Sequence, residues 1–256
     1  MRVFLTGDCH GCFDKLYRFQ EERSDLTKED IVIVLGDFGG LWSGSASEQE
    51  ALDHLNQLSF TLCFVDGNHE NHDLLETFPV KMWNHGKIHE IRSHIYHLMR
   101  GQVFILAGRK VFTFGGGLSR DIVHGVLDPD DPKFPIQVKE MNEKGWFYRI
   151  LGQSYWTQEL PSEQEMQEGL KNLKKHDHTV DYVLTHCAPT DLERHILAFS
   201  HPKEPDQLNR YLQNIAERTT FQKWYMGHYH TDVTYRFFEA YPAQCVLERF
   251  VLLIDT

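Results

Sequence analysis

A layered α/β fold is predicted for this 256-residue chain by three observations. Short apolar runs alternate along the sequence with amphipathic helical patterns. Most of the runs stop at a glycine or a polar residue instead of continuing. The length is sufficient for one large domain with a substantial core.

Taken in order, RVFLTG (2–7) and IVIVLG (31–36) read as strands, and residues 12–22 between them as a helix. Residues 47–58 read as a second helix, with Ala51, Leu52, Leu55 and Leu58 on one face, and LCFVDG (62–67) follows as a strand. VFILAGRKVFTF (103–114) reads as a hairpin turning at 108–110. Met166, Leu170 and Leu173 mark one later helix, and Leu208, Tyr211, Leu212 and Ile215 another. YVLTH (182–186), KWYMGH (223–228) and VLERFVLL (246–253) read as further strands. The stretch from about 119 to 161 differs: LDPDDPKFP carries turn formers that should break any regular element. It is followed by the aromatics Trp146, Phe147, Tyr148, Tyr155 and Trp156, read as a small core that anchors an insertion. The expectation is a single domain over 1–256 with an inserted cap-like segment at about 119–161.

Composition narrows the function. Hydrophobic residues at 41% and charged residues at 25% are ordinary for a globular protein. No stretch reaches the roughly 18–20 apolar residues of a membrane span, and the first residues lack a secretory pattern, so a cytoplasmic location is expected. A net charge of −11 argues against a broad cationic surface for a nucleic-acid polymer. A small phosphorylated substrate stays compatible, because bound cations invert the local field. Five scattered cysteines suggest reduced thiols, and the single C-x-x-C of Cys9 and Cys12 lacks a second pair for a zinc ribbon.

The sixteen histidines are the unusual feature. His176, His178 and His201 sit in polar company and read as surface residues. His85, His89, His94 and His97 (NHGKIHEIRSHIYHL, 84–98) read as strand-face and turn residues in preference to a second metal site. The informative set stands at the ends of the apolar runs. These runs finish on Asp8 and His10, on Asp37, on Asn68 and His69, on His186, and on His228 and His230. In layered α/β folds the carboxyl ends of strands converge on one edge, so residues distant in sequence should meet there. Carboxylates, an amide and imidazoles together suit two divalent cations, with no thiolate required. Gly7, Gly36, Gly67 and Gly227 precede or nearly precede these positions, where a chain must turn without a Cβ in the way.

The series Asp8-Cys9-His10, Gly36-Asp37, Gly67-Asn68-His69-Glu70, His186 and Gly227-His228-Tyr229-His230 resembles the calcineurin-like metallophosphoesterase superfamily, with its motifs complete from residue 8 to 230. The resemblance implies a four-layer α/β/β/α sandwich, two mixed sheets face to face with helices outside. It implies one cation held by Asp8, His10 and His230, a second by Asn68, His186 and His228, and Asp37 bridging them. Manganese is the first expectation, with iron, zinc, cobalt and nickel compatible. It implies hydrolysis of a phosphomonoester or phosphodiester by in-line attack of a metal-bridging hydroxide, with His69 protonating the leaving group. Glu70 is read as structural. Arg120 is a candidate for the substrate phosphate, ahead of Arg100, Arg109 and Arg149. A serine/threonine protein phosphatase is the nearest enzymatic alternative, but GDFGGLW (36–42) lacks the Asp and Arg usual in that family's second motif. A non-catalytic protein-binding scaffold is the alternative of another kind, and it predicts lost ligands that this chain retains.

Overall fold

A computed structural model describes residues 1–197, 204–235 and 241–255, so His201 lies outside the described residues. Fifteen strands and seven α-helices are described, and the strands form two large sheets and a separate two-stranded pair. In the first sheet, β1 (Val3–Thr6), β2 (Ile31–Leu35), β3 (Thr61–Val65) and β6 (Ile95–Leu98) run parallel. Antiparallel pairings flank them: β15 (Val251–Ile254) with β1, β5 (Gly86–Arg92) with β6, and β4 (Val80–Trp83) with β5. In the second sheet, β8 (Arg109–Phe114), β11 (Tyr182–Thr185), β12 (Lys223–Met226) and β14 (Ala243–Cys245) are parallel. Its edges are the antiparallel strands β7 (Gln102–Leu106) and β13 (Thr234–Tyr235).

Side-chain alternation explains the layering. In β2, Ile31, Ile33 and Leu35 face one way and pack with Leu106, Val111 and Leu184 of the second sheet. Val32 and Val34 face the other way, against Leu16 and Phe19 of α1 (Asp14–Glu22) and Leu52 and Leu55 of α2 (Ala46–Leu55). The far face of the second sheet, with Phe112, Val183 and Trp224, covers Leu173 of α5 (Glu163–Lys175), Leu192 of α6 (Thr190–Ile196) and Leu212 of α7 (Gln207–Arg218). A strand buried on both faces needs a continuous apolar run, which is why β2 reads IVIVL. Two mixed sheets with helices outside agree with the predicted architecture.

Three local expectations need correction. The hairpin turns at Ala107 and Gly108, both with positive φ, because Leu106 already pairs with Arg109 across the ladder. Of VLERFVLL only the last three residues lie in a strand, β15 (Val251–Ile254). Ahead of it the amides of Leu247, Glu248 and Arg249 donate to the Asp232 carboxylate, so that stretch is a carboxylate-bound bend. The third concerns the segment 119–161, which is not without regular structure. It carries a two-stranded parallel pair, β9 (Val126–Leu127) with β10 (Arg149–Ile150), and α4 (Phe134–Lys144) between them. Pro135 sits in the first turn of α4, where its missing N–H costs no hydrogen bond, so this proline starts a helix. Nor do the aromatics form one core. Trp156 is 2% exposed, donates to Asp73 Oδ2 (3.0 Å) and meets Trp42 edge-on, whereas Trp146 and Phe147 are 39% and 68% exposed.

α3 (His72–Leu75) follows the β3 loop. His89 and His97 lie on paired strand positions as the sequence suggested, with Nδ1 atoms 3.0 Å apart and His97 Nε2 bonded to Asp66 Oδ1 at 3.0 Å. Asp66 is also paired with the buried Arg100. No helix among the described residues is long and apolar enough to cross a membrane.

Candidate metal centre

Because β1, β2 and β3 are parallel, and β8, β11 and β12 likewise, the carboxyl ends of each set lie on one edge. There the loops after β1, β2 and β3 bring Asp8, His10, Asp37, Asn68 and His69 against His186, His228 and His230 from the loops after β11 and β12. His230 Nε2 is 3.2 Å from Asp8 Oδ2 and 3.1 Å from His10 Nε2. His186 Nε2 is 3.3 Å from Asp37 Oδ1, 3.3 Å from Asn68 Oδ1 and 3.2 Å from His228 Nδ1. His10 Nε2 lies 3.7 Å from Asp37 Oδ2, so Asp37 stands between the two groups.

These positions match two ligand-like sets. Asp8, His10 and His230 form one, and Asp37, His186 and His228 form another, each with its ligand atoms within 4.8 Å of one another. A third grouping, His10, Asp37 and His69, overlaps both. The donor chemistry fits divalent cations. Asp8 Oδ2 is buried and faces the imidazole nitrogens of His230 (3.2 Å) and His10 (3.8 Å), a convergence of one carboxylate oxygen and two ring nitrogens that a cation would satisfy. His186 Nδ1 donates to the Leu35 carbonyl at 2.8 Å, which fixes the ring with Nε2 facing Asp37, Asn68 and His228. Asn68 Nδ2 donates to Ser119 Oγ at 3.3 Å, which turns Oδ1 into the site.

The backbone is strained at this edge. His10, Asp37, His228 and His230 all have φ between 45° and 66°, a region costing side-chain-bearing residues about 1–2 kcal/mol each. Such strain persists where surrounding contacts over-determine it. Glu70 supplies one of these contacts: fully buried, it accepts from the amides of Phe38 (2.7 Å) and Gly39 (3.4 Å) and fixes the turn after Asp37. Lys15 supplies another, its buried Nζ donating to the carbonyls of Gly7 (2.9 Å), Asp8 (2.7 Å) and Leu247 (2.8 Å). Glycine at 67 has a more specific reason than turning, since an added Cβ would overlap Asp37 Oδ1.

The electrostatics show what protons do when no cation is bound. Burial opposes charge on His186, yet the charge and hydrogen bond of Asp37 raise its pKa to about 10. Burial and the neighbouring His186 push His228 down to about 3. Asp37 stays well below the usual carboxylate range: burial works against it, and the charge of His186 prevails. Imidazoles bind a cation only when deprotonated, so cation binding at this site releases protons.

His69 takes a separate position. Its backbone N–H donates to Asp37 Oδ1 at 2.8 Å, and its ring faces His10 edge-on at 4.9 Å between centroids. Burial lowers its pKa; Asp37 opposes that, while Arg149 and His10 add to it. Arg120 is 41% exposed at its side chain, pairs with Glu193 at 3.1 Å and lies over the Tyr229 ring. Both arginines line a cavity of about 630 Å³ with Asp37, Asn68, His69 and His228. Lys15, Ser119, Glu159 and Arg149 are the supporting residues that sequence reasoning missed or ranked low. Only the GGGLS run before Arg120 hinted that the loop after β8 enters the site.

A family model described as calcineurin-like phosphoesterase matches residues 1–232. A lariat debranching enzyme of Schizosaccharomyces pombe is 25% identical over 260 aligned positions, covering 91% of this chain and 49% of that protein. The chain therefore spans about half the length of that curated relative. Among solved structures, a phosphopantetheinyl hydrolase of Mycobacterium tuberculosis aligns with a TM-score of 0.45 at 14% identity, covering 96% of this chain and 89% of that one.

Proposed function

Because the chain belongs to the calcineurin-like phosphoesterase family, we propose that it hydrolyses a phosphomonoester or phosphodiester at a dinuclear centre. Asp8, His10 and His230 would hold one cation, Asn68, His186 and His228 the other, and Asp37 both. The observation that carries this reading is the pair of three-residue groups with Asp37 standing between them. When bound, two such cations act as Lewis acids on the phosphoryl oxygens and lower the pKa of an attacking water. Manganese remains the first cation to test.

The chain's own residues supply the rest. Asp37 orients the amide of His69, and His69 faces the leaving group and can protonate it. Ser119 keeps the oxygen of Asn68 turned inward. The cavity of about 630 Å³ leaves room beyond one phosphate, so residues 119–161 act as a cap that selects the substrate within a single domain. Arg120, at its rim, is a phosphate contact of this reading. A non-catalytic scaffold predicts a missing ligand or leaving-group histidine, and the convergence of all eight residues counts against it.

The test is hydrolysis of an aryl phosphomonoester and the matching diester by metal-stripped protein reloaded with manganese. A debranching relative makes the diester as necessary as the monoester. Activity on either ester, lost in Asp37→Asn, is the expected result. Two bound manganese ions with no hydrolysis of either ester would overturn the reading.

A further inference from the structure

Arg149 belongs to the cap segment, yet its guanidinium, 8% exposed, lines the cavity that holds Asp37, Asn68, His69 and His228. Strand β10 carries it there, and one carboxylate aims it. Nε donates to Asp121 Oδ1 at 2.7 Å and Nη2 to Asp121 Oδ2 at 2.9 Å, a bidentate grip that fixes the plane of the guanidinium. Nη1 donates to the Ser154 carbonyl at 2.8 Å. Nη2 carries a second hydrogen and lies beside the His69 ring, 3.2 Å from Nε2 and 3.5 Å from Nδ1. The ring edge that would face a departing oxygen is therefore shared with a fixed, permanently charged donor.

We propose that Arg149 is a catalytic residue on the leaving-group side, contacting the departing oxygen beside His69 and stabilising the negative charge that develops on it. This rests on the phosphoesterase reading above. In the reaction, the oxygen of water bonds to phosphorus and loses a proton to solvent. The bond from phosphorus to the leaving oxygen breaks with its electron pair on that oxygen, which takes a proton from His69 and departs as an alcohol, and His69 regains a proton from solvent. Arg149 exchanges no proton; a guanidinium keeps its charge throughout and acts by preorganised electrostatics. Asp121 is a positioning residue, acting through Arg149. This reverses the sequence ranking of the arginines, because Arg120 stands at an exposed rim in a pair with Glu193.

The test uses the manganese-loaded full chain and a series of aryl phosphoesters, from dinitrophenyl, a good leaving group, to phenyl, a poor one. Arg149→Met should lower kcat/KM about 100-fold for the phenyl ester and less than about threefold for the dinitrophenyl ester, the size expected for loss of one preorganised donor. Arg149→Lys should fall between, because it keeps charge without the fork. Asp121→Asn should steepen the same dependence less, and it covers the case in which Arg149→Met fails to fold. Equal slowing across the series, or none, overturns the inference while leaving the phosphoesterase reading intact. A wild-type enzyme inactive on every ester overturns that reading and this inference with it.

Discussion

Glu159→Gln tests how the segment 119–161 is fastened to the body. Glu159 is fully buried; its Oε2 accepts from the Ser119 amide at 3.0 Å, and Oε1 has no partner among the described residues. Burial raises its pKa from 4.5 to about 7. The folded protein thus keeps this proton up to about pH 7, whereas the unfolded chain releases it near 4.5. The contribution to stability is full below the lower value, falls as pH rises between the two, and stays lost above the higher one. At about 1.4 kcal/mol per pH interval of one, the full loss is about 3 kcal/mol. Glutamine can accept the same Ser119 hydrogen bond and has no proton to release. Urea unfolding of both proteins in chelator, at about pH 5 and about pH 8, should show the variant gaining about 2–3 kcal/mol on the wild type between the two. Chelation keeps cation binding out of the comparison, and ligand histidines titrate alike in both. A stability difference that is the same at both pH values would refute the reasoning.

Three further outcomes follow from the site. Asp37→Asn should weaken both cation positions at once, read as metal bound per chain after dialysis; one tightly held ion would contradict a shared ligand. Ser119→Ala releases the Asn68 amide, so affinity for the cation that Asn68 faces should drop about 10-fold or more, measured by competition with a chelator. Unchanged affinity would show that Asn68 needs no orienting partner. Lys15→Met strips three carbonyls of a charged donor and should destabilise the fold by about 3 kcal/mol or more in urea unfolding. A loss below about 1 kcal/mol would mean that water replaces the ammonium.

The seven ligand candidates and His69 were legible because each sits immediately after an apolar run, and parallel strands in one sheet must end on the same edge. Chemistry-bearing residue types at strand ends are a local signal, readable without a structure. VLERFVLL reads as a longer strand than it forms because the Asp232 carboxylate that takes the amides of Leu247 to Arg249 stands fifteen or more residues away. The prolines of LDPDDPKFP read as breakers, yet Pro135 stands in the first turn of α4, where proline is harmless, being disruptive only further in.

Periodicity and motif order thus determined the layered α/β class, the strand ends that form the site, and the residue types able to hold two cations. Only the tertiary structure decided which residues support them. It placed Lys15 under the Asp8 loop, Ser119 behind Asn68 and Arg149 beside His69, 80 residues apart in sequence. The physical reason is that a ligand must be a particular residue type at a strand end, which marks the sequence. A supporting donor can come from any element that folds to within about 3 Å of its acceptor, and such proximity leaves no periodic trace.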